Sequence, residues 1–329
     1  MSVSERHYDV VATGSPNAGL PFALPWLIGL IGLTVLPMIG SLLLSLTRWD
    51  GLSVREGMEW VGLANYQSLL SVADEGSDGR LFRRAVGNSL YFTLIGVPLS
   101  VLASLGMALL LNTGVRGIAL FRTVFLLPYL LGGVATILIW SWLFNPRFGI
   151  VNKLLRSAYV ALDPVVGLFR DAGTSDWIVP EWFYSPHACK PALILLQLWL
   201  AGGAVLVFLA ALQRVPRHLH EAALMDGANR WHCFRAVTMP HISPAVLFNL
   251  VVGVIFSMQA FDQAYLLYNR AQDDGLLFCV LYLYRVAFEP PYRIGQASAI
   301  AWIVFVVIGA LVVPMMLIAR RRVYYEVSR

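Results

Sequence analysis

The residues best suited to chemistry form two short groups. The first is Glu221-Ala222-Ala223-Leu224-Met225-Asp226-Gly227, closed off further on by Val237-Thr238-Met239-Pro240. Read locally, it is a helix, a turn and a second helix. Pro216 suits a first helical position. Glu221 is expected early in the first helix, where a carboxylate favours the positive dipole end. Ala222 and Ala223 are short enough to let a second surface approach the backbone. Gly227 can take the positive φ that ends such a helix. Residues 229–237 can start another helix, and Pro240 is expected to punctuate it. The second group is Gln259, Asp262, Gln263 and Tyr265, which interrupt an apolar run. Two amides, a carboxylate and an aromatic face are the groups that hydrogen-bond a polyol or a sugar. The plainer reading is that Asp262 only caps or pairs within a helix bundle.

Bond-making chemistry finds no support. The chain has two lysines, Lys153 and Lys190, and neither lies in GxxxxGK[ST], so no phosphate-cradling loop is present. HExxH, GxSxG and paired-carboxylate helix patterns are absent. Cys189, Cys233 and Cys279 are scattered without a CxxC, which supports neither a disulfide framework nor a zinc site. His7, His187, His218, His220, His232 and His241 are isolated and read as loop or interface residues. No metal and no cofactor is expected.

These groups must be positioned by elements made from an unusual composition. Of 329 residues, 58% are apolar and 13% charged, against roughly 25% charged in soluble domains. Mean hydropathy is +0.69. The net charge of +5 suits anionic lipid headgroups better than nucleic acid, because no basic stripe with interleaved aromatics occurs. An apolar run over 22–46 is long enough to cross a bilayer and is followed by Thr47-Arg48-Trp49 rather than a small-residue cleavage site. It is read as an uncleaved first span after a 1–21 tail. Further apolar runs over 85–112, 119–144, 188–212, 244–268 and 296–319 give an all-α, polytopic bundle of six transmembrane helices with both termini on one side. Loop 47–84 and the polar loop 213–243 then lie on opposite sides, and 320–329 forms the C-terminal tail.

Charge alone leaves the orientation open. Lys and Arg divide almost evenly between the two sides. Arg320-Arg321-Arg322 after the last span favours termini inside, whereas Arg80, Arg83 and Arg84 argue against it. Ser100, Ser104 and Ala108, and Gly295 with Ala299, recur at helix-packing spacing. Pro37, Pro98 and Pro128 are expected to kink their spans.

The spacing Glu-Ala-Ala, three residues, Gly, nine residues, aliphatic-x-aliphatic-Pro resembles the coupling loop of ABC importer permeases. The resemblance covers nearly the whole chain and is closest to permeases of sugar and glycerol-3-phosphate importers. Gly62-Leu63-Ala64-Asn65-Tyr66, Asn88-Ser89-Leu90, Phe121-Arg122, Pro128, Gly149-Ile150-Val151-Asn152, Leu155, Leu209 to Pro216, Phe261-Asp262 and Gly295 to Ala299 carry it. Departures fall at 269–275 and in a loop expanded around 157–187.

The resemblance implies the type-1 importer permease fold, with the permease domain over 85–319, in the cell membrane. It implies that 213–243 faces the cytoplasm, as do both termini. It implies that Glu221, Ala222, Ala223, Asp226, Gly227 and Pro240 serve a coupling helix docked on a separate ATPase. The expected partners are two cytoplasmic ATPase subunits, a second permease and an extracytoplasmic solute-binding protein. The solute path would include Gln259, Asp262, Gln263 and Tyr265. The rival class is an ion-coupled secondary transporter, for which Asp262 is the one clear intramembrane ionisable candidate; inverted repeats are not evident.

Overall fold

The computed structural model describes residues 20–51, 58–71, 78–113, 117–166, 181–268 and 274–322. The expected tails, most of the 269–275 departure and the middle of the 157–187 expansion lie outside these residues.

The described residues are helical almost throughout. The first span runs Phe22–Ser45 and comprises α1 (Leu20–Leu30), a π turn (Ile31–Val35) and α2 (Leu36–Ser45). Its side chains are mostly exposed. This is the pattern of a helix whose surroundings are apolar rather than aqueous. A two-residue ladder, β1 (Thr47–Arg48) with β2 (Glu59–Trp60), and the short α3 (Ala64–Leu70) follow. Asn65 donates to the carbonyls of Ser45 and Thr47 at 2.8 Å each, and the Tyr66 hydroxyl meets Ser45 Oγ at 2.7 Å. The two Asn65 bonds satisfy carbonyls at and just beyond the end of the first span, where helix geometry leaves them free.

The long α4 (Asp78–Leu111) is the centre of the bundle. It begins seven residues before the apolar run, because Asp78 is held by Arg293, by Gln296 Nε2 at 3.2 Å and by the Tyr282 hydroxyl. Ser104 and Ala108 are buried where α4 packs on α9 (Gly202–Arg214). The small-residue stripe therefore serves packing inside this bundle. Arg122 donates to the Leu111 carbonyl at 2.9 Å and caps the end of α4.

Two expected spans are bent. The run over 119–144 splits into α5 (Ile118–Leu130) and α6 (Gly133–Leu143), which meet at 97°. Pro128 precedes the break, as expected of a residue that disrupts the helical ladder. After the helix α7 (Ile150–Val166), the run over 188–212 splits into α8 (Cys189–Trp199) and α9 at 45°.

The fifth run differs most from expectation. A helix runs unbroken from Arg230 to Met258, through α11 (Arg230–Cys233), a π turn (Phe234–Thr238) and α12 (Met239–Met258). Pro240 does not punctuate it. The Met239 N–H bonds to the carbonyl five residues back, at Phe234, and this widened turn makes room for the proline ring. The first span uses the same device, with Leu36 bonding to Ile31 just before Pro37. The helix then stops at Met258, not at 268, and a short α13 (Asp262–Leu267) begins after the break. A further helix, α14 (Cys279–Phe288), lies in what the sequence presents as a connection. The last helix, α15 (Ile294–Arg322), packs on α2, α12 and α14. Ala299 is fully buried and Gly295 N–H reaches the Trp49 carbonyl at 3.2 Å.

Among the described residues, four helices are continuous and long enough to cross a membrane, and counting each bent pair as one span gives up to six.

Candidate functional site: a polar cavity and an exposed loop helix

Two adjoining cavities, each half open to the surroundings, lie between the helices. One, of about 520 Å³, lies midway along the helices between α4, α5, α9 and α12. The other, of about 310 Å³, lies towards the end of α12. Gln197, Gly253, Phe256 and Gln263 line both. The three helix breaks all border this space. Tyr129 comes from just before the α5–α6 bend, Leu200 and Ala201 from the α8–α9 bend, and Gln259 to Phe261 from the α12–α13 break. Non-helical backbone inside a membrane is tolerated where it is buried in protein or lines a wet cavity, so the breaks and the cavity explain one another.

Of the residues expected on a solute path, Gln259, Asp262 and Gln263 line the smaller cavity. Gln259 closes α12, and Asp262 opens α13, where its charge favours the helix start. Tyr265 lies elsewhere: it stacks on Phe261 at 5.2 Å and packs edge-on against Tyr284 at 5.4 Å. Sequence reasoning missed Gln197, Asn249, Ser100, Tyr129 and Phe256. Gln197 and Asn249 were visible as amides in apolar runs, but only the bends bring them together. Gln197 packs tightly on α4, since a Cβ at Gly96 would come within 2.4 Å of its Oε1. Among the described residues lining either cavity there is no lysine or arginine.

The loop at one end of the bundle holds α10 (Arg217–Met225). It starts after Pro216, which serves as its N-cap rather than as its first helical residue. Glu221 accordingly sits in the second turn, and the first turn holds no acidic residue, so Glu221 is not a helix-start charge. No residue of α10 is buried. Glu221, Ala222 and Asp226 are exposed, while Ala223 is half-buried and faces the bundle with Leu219 and His220. Exposed Leu224, Met225 and Trp231 make the surface apolar, with Met225 89% exposed.

The end of α10 is fixed by backbone bonds. Gly227 has φ +79°. Its N–H bonds to Leu224 O at 3.0 Å, and the Ala228 N–H to Ala223 O at 3.0 Å. This is a Schellman motif, which requires the left-handed residue that glycine supplies. Asn229 Oδ1 then accepts the His232 N–H at 2.8 Å and caps the next helix. Pro240 lies within the spanning helix, half-buried, and not on the exposed loop surface.

Residues 70–323 match the family described as binding-protein-dependent transport system inner membrane component. A probable ABC transporter permease, YesP of Bacillus subtilis, is 33% identical over 94% of this chain and 92% of its own length. The trehalose/maltose transport system permease MalF of Thermococcus litoralis is 26% identical over 92% of this chain and 94% of its own. In fold, the chain is similar to a bacterial ABC transporter that imports the acidic polysaccharide alginate. There the TM-score is 0.73 at 23% identity, over 92% of this chain and 94% of that one.

Proposed function

From the premise that the chain belongs to the family of binding-protein-dependent transport system inner membrane components, we propose that it passes a neutral sugar or oligosaccharide through the cavity lined by Gln197, Asn249, Gln259, Asp262 and Gln263. As a member it is a multi-pass ABC importer permease, a transport subunit. The curated relatives named for a cargo include permeases for trehalose/maltose, for maltodextrin and for multiple sugars. The lining carries the choice among carbohydrates. Amides, Ser100, Tyr129 and Phe256 offer hydrogen bonds and an aromatic face. Asp262 is the charged member, and among the described lining residues no lysine or arginine is present to balance a phosphate or a uronate. An anionic solute would meet the Asp262 carboxylate, and like charges repel. A glycerol-3-phosphate-like cargo is therefore disfavoured.

In this reading α10 is the coupling helix. Exposed Glu221, Ala222, Leu224, Met225 and Asp226 form a face for a cytoplasmic ATPase, with Gly227 setting the turn. ATP is hydrolysed on that partner, and a pair of ATPases, a second permease and an extracytoplasmic binding protein complete the importer. Both termini then face the cytoplasm. The ion-coupled alternative has little to draw on, because Asp262 lacks a second ionisable group among the described residues lining its cavity.

The test of the path is uptake by Gln197→Ala, Gln259→Ala and Asp262→Ala variants of the assembled transporter. Each removes one hydrogen-bonding group worth about 1 kcal/mol, or roughly fivefold in apparent affinity. Wild-type uptake by all three would show that solute passes elsewhere.

A further inference from the structure

The loop helix α10 is tethered covalently at both ends, yet none of its residues is buried. A helix held so lightly would turn about its ends when pushed. A side-chain contact at its near end opposes that. The His220 Nε2 ring atom meets Thr238 Oγ1 at 3.1 Å, across eighteen residues of chain. His220 lies on the inward face of α10 with Leu219 and Ala223. Thr238 is 7% exposed and is the last residue of the π turn that admits Pro240. Water cannot readily replace a partner at so buried a hydroxyl.

The position of the bond matters as much as its strength. The Schellman turn at Gly227 and the Asn229 cap fix the far end of α10 to the start of the spanning helix. The His220 bond fixes the near end about two turns further along the same helix. Two separated attachments define a rigid body, whereas one defines a pivot. From Thr238, helical rise carries the spanning helix about 16 Å to Asn249, which lines the larger cavity with Gly253 and Phe256. π turns occur frequently at functional sites, and this one ends at the attachment, lying between the Asn229 cap and Thr238.

We propose that His220 is a positioning residue of the coupling step. Its bond to Thr238 makes α10 and the π turn move together, so that displacement of α10 reaches the cavity wall instead of being lost as rotation of α10. The inference rests on the reading of α10 as the ATPase-docking helix. Thr238 takes the same role from the other side of the bond.

The assembled transporter in proteoliposomes, loaded with ATP, gives the measurement: solute imported per ATP hydrolysed, with retention of the ATPase checked by pull-down. His220→Ala and Thr238→Ala are each expected to lower the ratio roughly fivefold, the effect of one buried hydrogen bond, with the ATPase retained. The double variant is expected to be no worse than either single, because both remove the same bond. His220→Gln, whose amide reaches the place of Nε2, is expected to restore the ratio. His220→Asn, which reaches only to Nδ1, is expected not to. A wild-type ratio in His220→Ala, or a double variant equal to the product of the singles, would overturn the proposal. Loss of the ATPase from His220→Ala would overturn it too, by making His220 a docking residue. A wild-type chain that retains no ATPase would overturn the docking reading itself, before any variant is compared.

Discussion

Gly227 shows how much one residue can decide. Its φ is +79° and open space surrounds the position a Cβ would take. A side chain there strains the backbone without a clash, at a cost of about 1 kcal/mol. Gly227→Asp is expected to insert in the membrane normally and to lose the ATPase, since the turn that presents α10 is altered and a charge is added beside it. Unchanged co-purification of the ATPase would contradict this. Ser89 acts by satisfaction instead. Its Oγ accepts the Cys279 N–H at 3.0 Å, a donor at the start of α14 that no intrahelical carbonyl can reach. Ser89→Ala is expected to cost 1–3 kcal/mol and to lower the unfolding temperature of the detergent-solubilised protein. The residue types in these motifs were legible in the sequence, but their partners were not. Ser89 and Cys279 stand 190 residues apart, and Asn152 holds Trp182 Nε1 at 2.7 Å from another segment altogether. Spacing rules work within a helix turn and are silent at such separations.

At the scale of elements, long apolar runs announced most helices, because burial in lipid demands them. What they could not announce is where a run breaks. The fifth run is expected to reach 268, yet the chain turns at Gln259 to Phe261 to border the smaller cavity. The opposite error arose at Pro240, where a residue that normally ends helices is accommodated by a π turn. Hydropathy carries no information about either, since both depend on which carbonyls find partners. The loop helix was more legible: Gly227 and Asn229 are local signals with local partners. Asn229→Ala removes the bond to the His232 N–H and is expected to cost about 1 kcal/mol. Circular dichroism of a thermal melt would register it as a lowered midpoint, and an unchanged midpoint would mean the cap is dispensable.

For the whole molecule, sidedness is the property that charge left undecided and the loop supplied. The native thiols make it testable. Cys189, Cys233 and Cys279 are all buried, out of reach of a bulky reagent. A charged maleimide is therefore expected to leave the native protein unlabelled. Met225→Cys, at a position 89% exposed in the isolated chain, is expected to be labelled in inverted membrane vesicles stripped of the ATPase and protected in intact cells. The opposite pattern would invert the topology and detach α10 from any cytoplasmic partner.

The most direct measurement is uptake of a labelled neutral maltodextrin into proteoliposomes holding the chain with the subunits that co-purify with it. The account predicts uptake that requires ATP and the binding protein, is indifferent to collapse of ion gradients, and is not competed by a phosphorylated or uronic sugar. Uptake that persists without ATP and vanishes with the ion gradient would contradict it.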